Sequence, residues 1–383
     1  MRRFLSILLP TLSMITGVIA GILLAREIPL GHISQPDSAL LTSTVAYVAG
    51  HYVDPVSNHR LVDGAIEGMF NRLDPHSRYL EPASMQALQS EAHGHYAGIG
   101  IELSLVDGYF SIVGIMANSP AERAEVNAGD RITSVNGESV KGRRLGDMVQ
   151  QLRGTPGSAI SLGLKRADKS FNLTLYREKI EVTSVHTSEP ADGITLLRIS
   201  VFHENTAREI RALLERHKAA EGGIRGLIID LRGNPGGLLP SAVQVSDLFL
   251  EKGVIVRTAG RSDESHSTYN ATEGDLLAGL PIGILIDGGT ASAAEVVAAA
   301  LQDHERSLIF GSRSYGKGSV QTLFRVPGQR GIKLTTARYF APSGRSIDGI
   351  GVEPDVVWHG EYDALPAHAN AQLLSSLNPV TTL

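Results

Sequence analysis

The sequence predicts a multidomain α/β and α+β chain: an N-terminal helical segment, a β-rich module, and an α/β core. Three observations predict it. At 383 residues the chain is more than twice the length of a typical single domain. Between about 96 and 177, short apolar runs are punctuated by Asp107-Gly108, Gly129-Asp130 and Asn136-Gly137, as in small strands joined by tight turns. From 181 onward, apolar strands alternate with helical patterns, which is how a layered α/β core reads. Composition narrows the function classes. Lys plus Arg is 35 against 40 for Asp plus Glu, a net of −5, which argues against a non-specific nucleic-acid binder. There is no cysteine, so disulfide scaffolds, thiol nucleophiles and thiolate metal sites are excluded.

The amino terminus indicates export. Residues 4–25 carry no charge and follow Arg2-Arg3. At about 1.5 Å per residue such a helix reaches roughly 33 Å, enough for a hydrocarbon core of about 30 Å. Arginines before the span keep that end cytoplasmic and send the rest across. The alternative is a cleaved signal peptide with Val18 and Ala20 near the cut, but no A-x-A pattern is present. The expectation is therefore an inner-membrane anchor in residues 1–27 with a periplasmic working part, or a periplasmic or secreted protein if the segment is cleaved.

Residues 35–93 read as helices, with Leu61, Ala65, Ile66 and Met69 at helical spacing and a proline turn at Leu73-Asp74-Pro75-His76-Ser77. The β-rich module takes 94–178. Ile101, Leu103 and Leu105 alternate in its first strand, and Leu145, Met148, Val149 and Leu152 form one apolar helical stripe. The core takes 179–360. Strands are expected at 194–201, 226–231, 281–286 and 307–310, and helices at 206–218, 238–250 and 293–302. The tail, 361–383, has weak pattern.

Chemistry gathers in three core segments. Ser292, between a strand and an alanine-rich helix, forms an S-x-x-E pattern with Glu295, which read plainly is a helix N-cap. The same place suits a nucleophile, because the helix-end amide of Ala293 can donate to an oxyanion. No G-x-S-x-G elbow or histidine triad motif accompanies it. The base is sought in Ser314-Tyr315-Gly316-Lys317-Gly318-Ser319-Val320-Gln321, where burial would have to lower the Lys317 amine for it to accept a proton. If 317–323 is a strand, Lys317, Ser319 and Gln321 share a face and Gln321 can orient the amine. Asp230-Leu231-Arg232-Gly233-Asn234-Pro235-Gly236-Gly237 forms a glycine loop whose amides can face an anion. Gly311 to Lys317 matches G-x-x-x-x-G-K, but Gly318 stands where a P-loop needs Ser or Thr. His93-Gly94-His95 with Glu91 lacks further ligands for a metal.

In this order, and together with Gly68-Met69, Leu334-Thr335-Thr336-Ala337-Arg338-Tyr339 and Gly351-Val352-Glu353-Pro354-Asp355, these segments resemble the C-terminal processing peptidases, or tail-specific proteases. The resemblance runs from about Tyr52 to Asp355. It implies a serine–lysine endopeptidase with a crotonase/Clp-protease-like core and an inserted PDZ domain. The nucleophile falls on Ser292, the general base on Lys317 and the lysine-orienting glutamine on Gln321. The oxyanion hole falls on Ala293 with Gly236 or Gly237. The PDZ carboxylate-binding loop falls on Gly98-Ile99-Gly100-Ile101, with Ile99, Ile101 and Leu103 lining a pocket for apolar tails.

Arg153, whose plain reading is a cation at a helix C-terminus, is the residue expected to report PDZ occupancy to the active site. No metal, nucleotide or other cofactor is expected. The partners implied are protein substrates with accessible C-terminal tails, the membrane through residues 4–25, an adaptor and further copies of the chain, with no nucleic acid. A non-catalytic scaffold that uses the PDZ module to bind tails is the alternative from another class. A crotonase-type acyl enzyme is disfavoured by the absence of a coenzyme A site and by export.

Overall fold

The computed structural model describes residues 33–106, 108–191, 193–219 and 223–377. The expected anchor at 4–25 lies outside the described residues. Among those described, no helix is long and apolar enough to cross a membrane. The chain divides into two compact units, 1–85 with 321–335, and 86–320 with 336–383.

The first unit begins with the expected helices, Gln35–His51 and Asn58–Phe70. Ser34 and Ser57 open them, each accepting an amide with its hydroxyl. The proline turn is an Asx turn: Asp74 Oδ1 accepts the amides of His76 (2.9 Å) and Ser77 (3.1 Å). A short strand that periodicity did not suggest, Arg78–Leu80, then pairs antiparallel with Gly331–Lys333.

In the second unit the β-rich module is a sheet, reached and left through a two-stranded ribbon, His95–Gly98 with Glu178–Glu181. Along the sheet lie Ile101–Val106, Tyr109–Ile115, Arg131–Val135, Ala159–Arg166 and Lys169–Tyr176. Asn136 and Gly137 both take positive φ, 49° and 82°, as a tight hairpin turn requires. The Leu145–Leu152 helix buries Met148 and Leu152 in the module's apolar core. Its last carbonyls are met by the buried guanidinium of Arg177, which donates to Gln151 O (2.8 Å) and Leu152 O (3.1 Å). The cation at this helix end is thus Arg177. Arg153 turns away, pairing with Glu91 and lying 5.2 Å from the centroid of the Tyr96 ring.

The core of the second unit is a six-stranded sheet ordered Val185–Ala191, Ile194–Ile199, Gly226–Asp230, Ile282–Ile286, Ser307–Gly311 and Val356–Val357. The first pair is antiparallel and the rest are parallel. Both faces are covered, so strand residues alternate between two cores. Leu227, Ile229, Ile282, Ile284, Ile286 and Ile309 join the cluster under the Leu239–Asp247 and Ala293–Asp303 helices. Ile228, Leu285 and Phe310 face the helix Leu365–Leu377 through Leu365, Ala369 and Leu373. That helix replaces the expected patternless tail. Its apolar stripe recurs every four residues between Ala, His, Asn and Gln, too narrow to stand out in sequence. Beyond this sheet, Val254–Gly260 pairs with Ser267–Asn270 and with Ala337–Phe340, an addition the sequence reading did not contain.

Asp130 is a buried carboxylate inside the β-rich module. Arg166 donates to it through Nε (2.7 Å) and Nη2 (2.8 Å), and the Asn127 amide adds a third bond. These bonds, the arginine pair first, hold its carboxyl below the ordinary value of 3.8 despite burial. The stabilisation is therefore present above the ordinary carboxylate value and lost as pH falls through the lower folded-state value. Asp130→Asn is expected to cost about 1–3 kcal/mol in urea unfolding near neutral pH. The difference from wild type should shrink in acid.

Candidate active site

Parallel strands place their following loops at one edge of the sheet, the usual site of chemistry in such folds. Three loops meet there, after Gly226–Asp230, Ile282–Ile286 and Ser307–Gly311. They are stitched by Thr290 Oγ1 to Leu231 O (2.8 Å), Ala291 N to Asn234 O (2.9 Å) and Tyr315 N to Thr290 O (2.9 Å). Asp287 Oδ1 accepts the amides of Gly233, Gly289 and Thr290 at 2.9–3.1 Å.

Ser292 stands at the N-terminus of Ala293–Asp303, a helix buried at every residue from 293 to 301. Its backbone has φ 56° and ψ −117°, a conformation a side-chain-bearing residue adopts at a cost of about 1–3 kcal/mol. Gly236 makes it possible. A Cβ there would fall 2.8 Å from Ser292 Cβ and 2.9 Å from Ala293 N, so only glycine lets the two loops meet. Gly237 is equally constrained, because a Cβ would fall 2.0 Å from Phe202 O. The Gly236 amide is already given to Asn234 Oδ1 at 2.8 Å, while Asn234 Nδ2 donates to Ile199 O at 2.8 Å.

Glu295 does more than cap its helix. Its carboxylate, wholly excluded from solvent, accepts the Ser292 amide (2.7 Å), the Ser314 hydroxyl (2.5 Å) and the amides of Gly316 (2.7 Å) and Lys317 (2.9 Å). The capping pattern was legible in sequence; the reach to residues 314–317 was not, because it is non-local. The donors a phosphate would need in the glycine loop are spent on this carboxylate, which disposes of the P-loop likeness. The loop is braced from behind: Ser314 Oγ accepts the Val352 amide at 2.7 Å, and Gly349 N donates to Gly316 O at 2.8 Å. A Cβ on Gly318 would lie 2.1 Å from Asp348 N.

Lys317 is half-buried. Burial lowers its amine below the ordinary 10.5, while the negative charge of Glu295 pulls the other way. The strand expected over 317–323 starts only at Ser319, so Lys317 precedes it and the shared-face argument does not apply. Gln321 falls in the first unit, where its Nε2 donates to Thr335 Oγ1 at 3.4 Å. Thr335 Oγ1 bonds Asp74 Oδ1 (3.0 Å), and Thr335 N bonds Ser77 Oγ (3.0 Å). That network gives the Asp74-Pro75-His76-Ser77 motif a role the sequence left unassigned.

In the β-rich module, Gly100 takes φ 76° and its carbonyl accepts the Met116 amide, while Ile99 O accepts that of Ala121. The Ile99 side chain, 2% exposed, belongs to the module's core and does not line a pocket. Ile101 and Leu103 are partly buried against that core. Ile101–Val106 is the end strand of its sheet, paired on one side with Tyr109–Ile115.

Comparison with known proteins gives this arrangement a class. Residues 193–358 match peptidase family S41 and residues 111–166 match the PDZ domain. The chain is 40% identical over 314 residues to a carboxy-terminal-processing protease of Bartonella bacilliformis, covering 81% of this chain and 72% of that one. It is 32% identical over 361 residues to a "probable CtpA-like serine protease" of Staphylococcus aureus, covering 92% and 72%. The solved photosystem II D1 C-terminal processing protease superposes with a TM-score of 0.53 at 28% identity, covering 87% of this chain and 97% of that one. Fold and site thus define a PDZ-bearing serine protease. The chain belongs to peptidase family S41, among the carboxy-terminal-processing proteases.

Glu295→Gln would set an amide N–H₂ against backbone N–H donors and leave at least one of them unpaired in a buried place. We expect a loss of about 1–3 kcal/mol or more by thermal or urea unfolding, together with loss of proteolysis. Glu295→Asp, which keeps the charge but shortens the reach, should recover stability in part.

Proposed function

We propose that the protein is an exported endopeptidase that captures the C-terminal tail of a protein substrate in its PDZ domain and cuts the chain with a Ser292–Lys317 dyad. The observation that carries this reading is the Glu295 carboxylate, which holds the Ser292 amide and the Gly316 and Lys317 amides at once. A serine in a strained turn at a helix N-terminus and a lysine depressed by burial are thereby fixed to the same anchor.

Neutral Lys317 Nζ takes the Ser292 proton as Oγ bonds to the scissile carbonyl carbon, and the carbonyl electron pair moves onto oxygen. Amides of Ala293 and Gly237 stabilise that oxyanion; Gly237 is preferred over Gly236 because Asn234 occupies the Gly236 amide. The carbon–nitrogen bond then breaks and the amine leaves with the proton held by Lys317. Water hydrolyses the acyl-enzyme with Lys317 again as base. Gln321, four residues beyond Lys317, is assigned to orient the amine. The role of Thr335 and Asp74 is to hold Gln321 through the hydrogen bonds described.

Tail capture uses the unpaired side of Ile101–Val106, where a peptide adds as a strand, and the Gly98-Ile99-Gly100-Ile101 turn, whose amides receive the terminal carboxylate. Arg153, which pairs with Glu91 and lies over the Tyr96 ring, is assigned to transmit occupancy. Export, membrane attachment through residues 4–25, an adaptor and self-association belong to the same proposal. They rest on the uncharged N-terminal span and on the resemblance.

The test is cleavage of an unstructured protein with an apolar tail. Ser292→Ala and Lys317→Ala should each lower kcat by at least about a thousandfold, with no effect of a chelator. Retained cleavage in either would sink the dyad. The rate should rise with pH along a limb below the ordinary lysine value of 10.5, since the amine must be neutral to act. Blocking the tail should slow wild type. If Arg153→Ala keeps full stimulation by free tail peptide, Arg153 has no part in signalling.

A further inference from the structure

Phe202 to Asn205, between the strand Ile194–Ile199 and the helix Thr206–Ala219, touch the oxyanion loop on one side and the PDZ ribbon on the other. On the first side, Phe202 N donates to Gly236 O (2.9 Å), Leu238 N donates to Phe202 O (2.8 Å), and Phe202 pairs with Gly237 in a parallel bridge. On the other side stand Gly94, just before the ribbon, and Val182, just after it, joined by Val182 N to Gly94 O at 2.9 Å. Glu204 N donates to Ala92 O (3.1 Å), and His203 Nε2 bonds Val182 O (3.1 Å). A Cβ on Gly94 would fall 2.9 Å from the His203 ring, so the entering chain runs directly against that ring. We propose that His203 is a positioning residue that ties the PDZ ribbon to the segment on which the Gly236-Gly237 loop rests. The inference rests on the oxyanion reading above.

The main-chain partners of the buried His203 ring fix its protonation. Asn205 N donates to Nδ1 (3.2 Å), so Nδ1 carries no proton, and Val182 O can only accept, so Nε2 does. The ring is therefore neutral. One nitrogen serves its own turn and the other serves the ribbon. Neighbouring groups fasten the same junction. Glu209 Oε2 accepts from Ser184 N (3.2 Å) and Ser184 Oγ (2.8 Å), and Oε1 lies 3.8 Å from His203 Nε2. Thr206 Oγ1 accepts the His203 amide (3.0 Å) and bonds Ser184 Oγ (2.9 Å).

An oxyanion donor acts through being fixed before the charge develops. The Gly237 amide stands against Phe202, and the residue after Phe202 is held by the ribbon. Loss of the Val182 bond frees the His203 ring to turn and loosens the peptide that carries Phe202 O. A donor displaced by a fraction of an ångström stabilises the oxyanion less. No oxyanion exists in the bound ground state, so the loss falls on kcat rather than on KM.

Two substitutions divide the ring's bonds between them. His203→Asn places an oxygen at the Nδ1 position and keeps the bond from Asn205, but cannot reach Val182. His203→Gln places an amide N–H at the Nε2 position and keeps the bond to Val182, but gives up that from Asn205. We expect His203→Asn to lower kcat on the unstructured protein by about fivefold or more, with KM within about twofold, and to slow fluorophosphonate labelling of Ser292 in parallel. His203→Gln should keep both rates near those of wild type, and an apolar tail peptide should bind both variants as it binds wild type. The opposite order, with Gln impaired and Asn active, assigns the ring to its local turn and overturns the proposal. Equal loss in both, as a packing role predicts, overturns it too, as do wild-type rates in both, whatever the change in melting temperature. Slower cleavage with weakened tail binding and unchanged labelling also overturns it. Should His203→Asn fail to fold, an ester oxygen in place of the Thr183 N–H makes Val182 O a poorer acceptor and leaves the ring untouched. That replacement should lower kcat, and an unchanged kcat would overturn the proposal. Ser292→Ala run alongside separates the two readings. Cleavage surviving in Ser292→Ala refutes the nucleophile and this inference with it, whereas a dead Ser292→Ala beside a fully active His203→Asn refutes only the role of His203.

Discussion

Glu295 is the constraint on which the active-site architecture depends. A buried carboxylate is tolerable only when its lone pairs are filled, and here two backbone loops and a serine hydroxyl fill them. The arrangement is reciprocal. The loops supply the donors that keep the charge in place, and the charge holds together two stretches of chain that have no side-chain reason to meet. It also acts on Lys317, whose amine it draws back toward the charged state against burial. The amine's basicity is therefore set by two opposed effects, and a small movement of either loop changes the balance.

Around this carboxylate the glycines have distinct duties. Gly236 admits the serine loop, Gly237 admits the main chain of Phe202, and Gly318 admits that of Asp348. Each is defined by another backbone where a Cβ would have to be, so none is a hinge. The segment Gly351–Asp355 serves the same end: Val352 braces Ser314, and the Asp355 carboxylate accepts from Gln302 and from the Ile309 amide. Segments far apart in the chain are thus support for one loop, the one that carries Lys317.

What could be read from the sequence follows the range of each interaction. The helix beginning at Ser292, the hairpins of the PDZ module and the strand–helix alternation of the core are announced by neighbouring residues. Their bounds shift only slightly in the structure. The Leu365–Leu377 helix was illegible because its packing stripe is one residue wide, and its reason to be a helix is the apolar back of the sheet. Strand spacing of Lys317, Ser319 and Gln321 suggests a shared face only if the strand includes Lys317, and it begins at Ser319. The carbonyl and amide partners that keep 314–318 irregular lie in Glu295 and in residues 349–352. Alternation at Ile99, Ile101 and Leu103 identifies a face but not which side is solvent, and the Ile99 side chain lies in the core.

The positive φ of Ser292 restricts what evolution can place there. A left-handed residue followed by a buried helix disfavours β-branching, since a second heavy substituent on Cβ would crowd the carbonyls on either side. Threonine, chemically the nearest substitute as an alcohol nucleophile, is thereby barred by its methyl group. Alanine and glycine fit the turn but remove the reactive oxygen. Divergence at this position thus has two open routes, a thiol in the same geometry or a catalytically silent descendant that keeps the fold, and no gradual path through other alcohols.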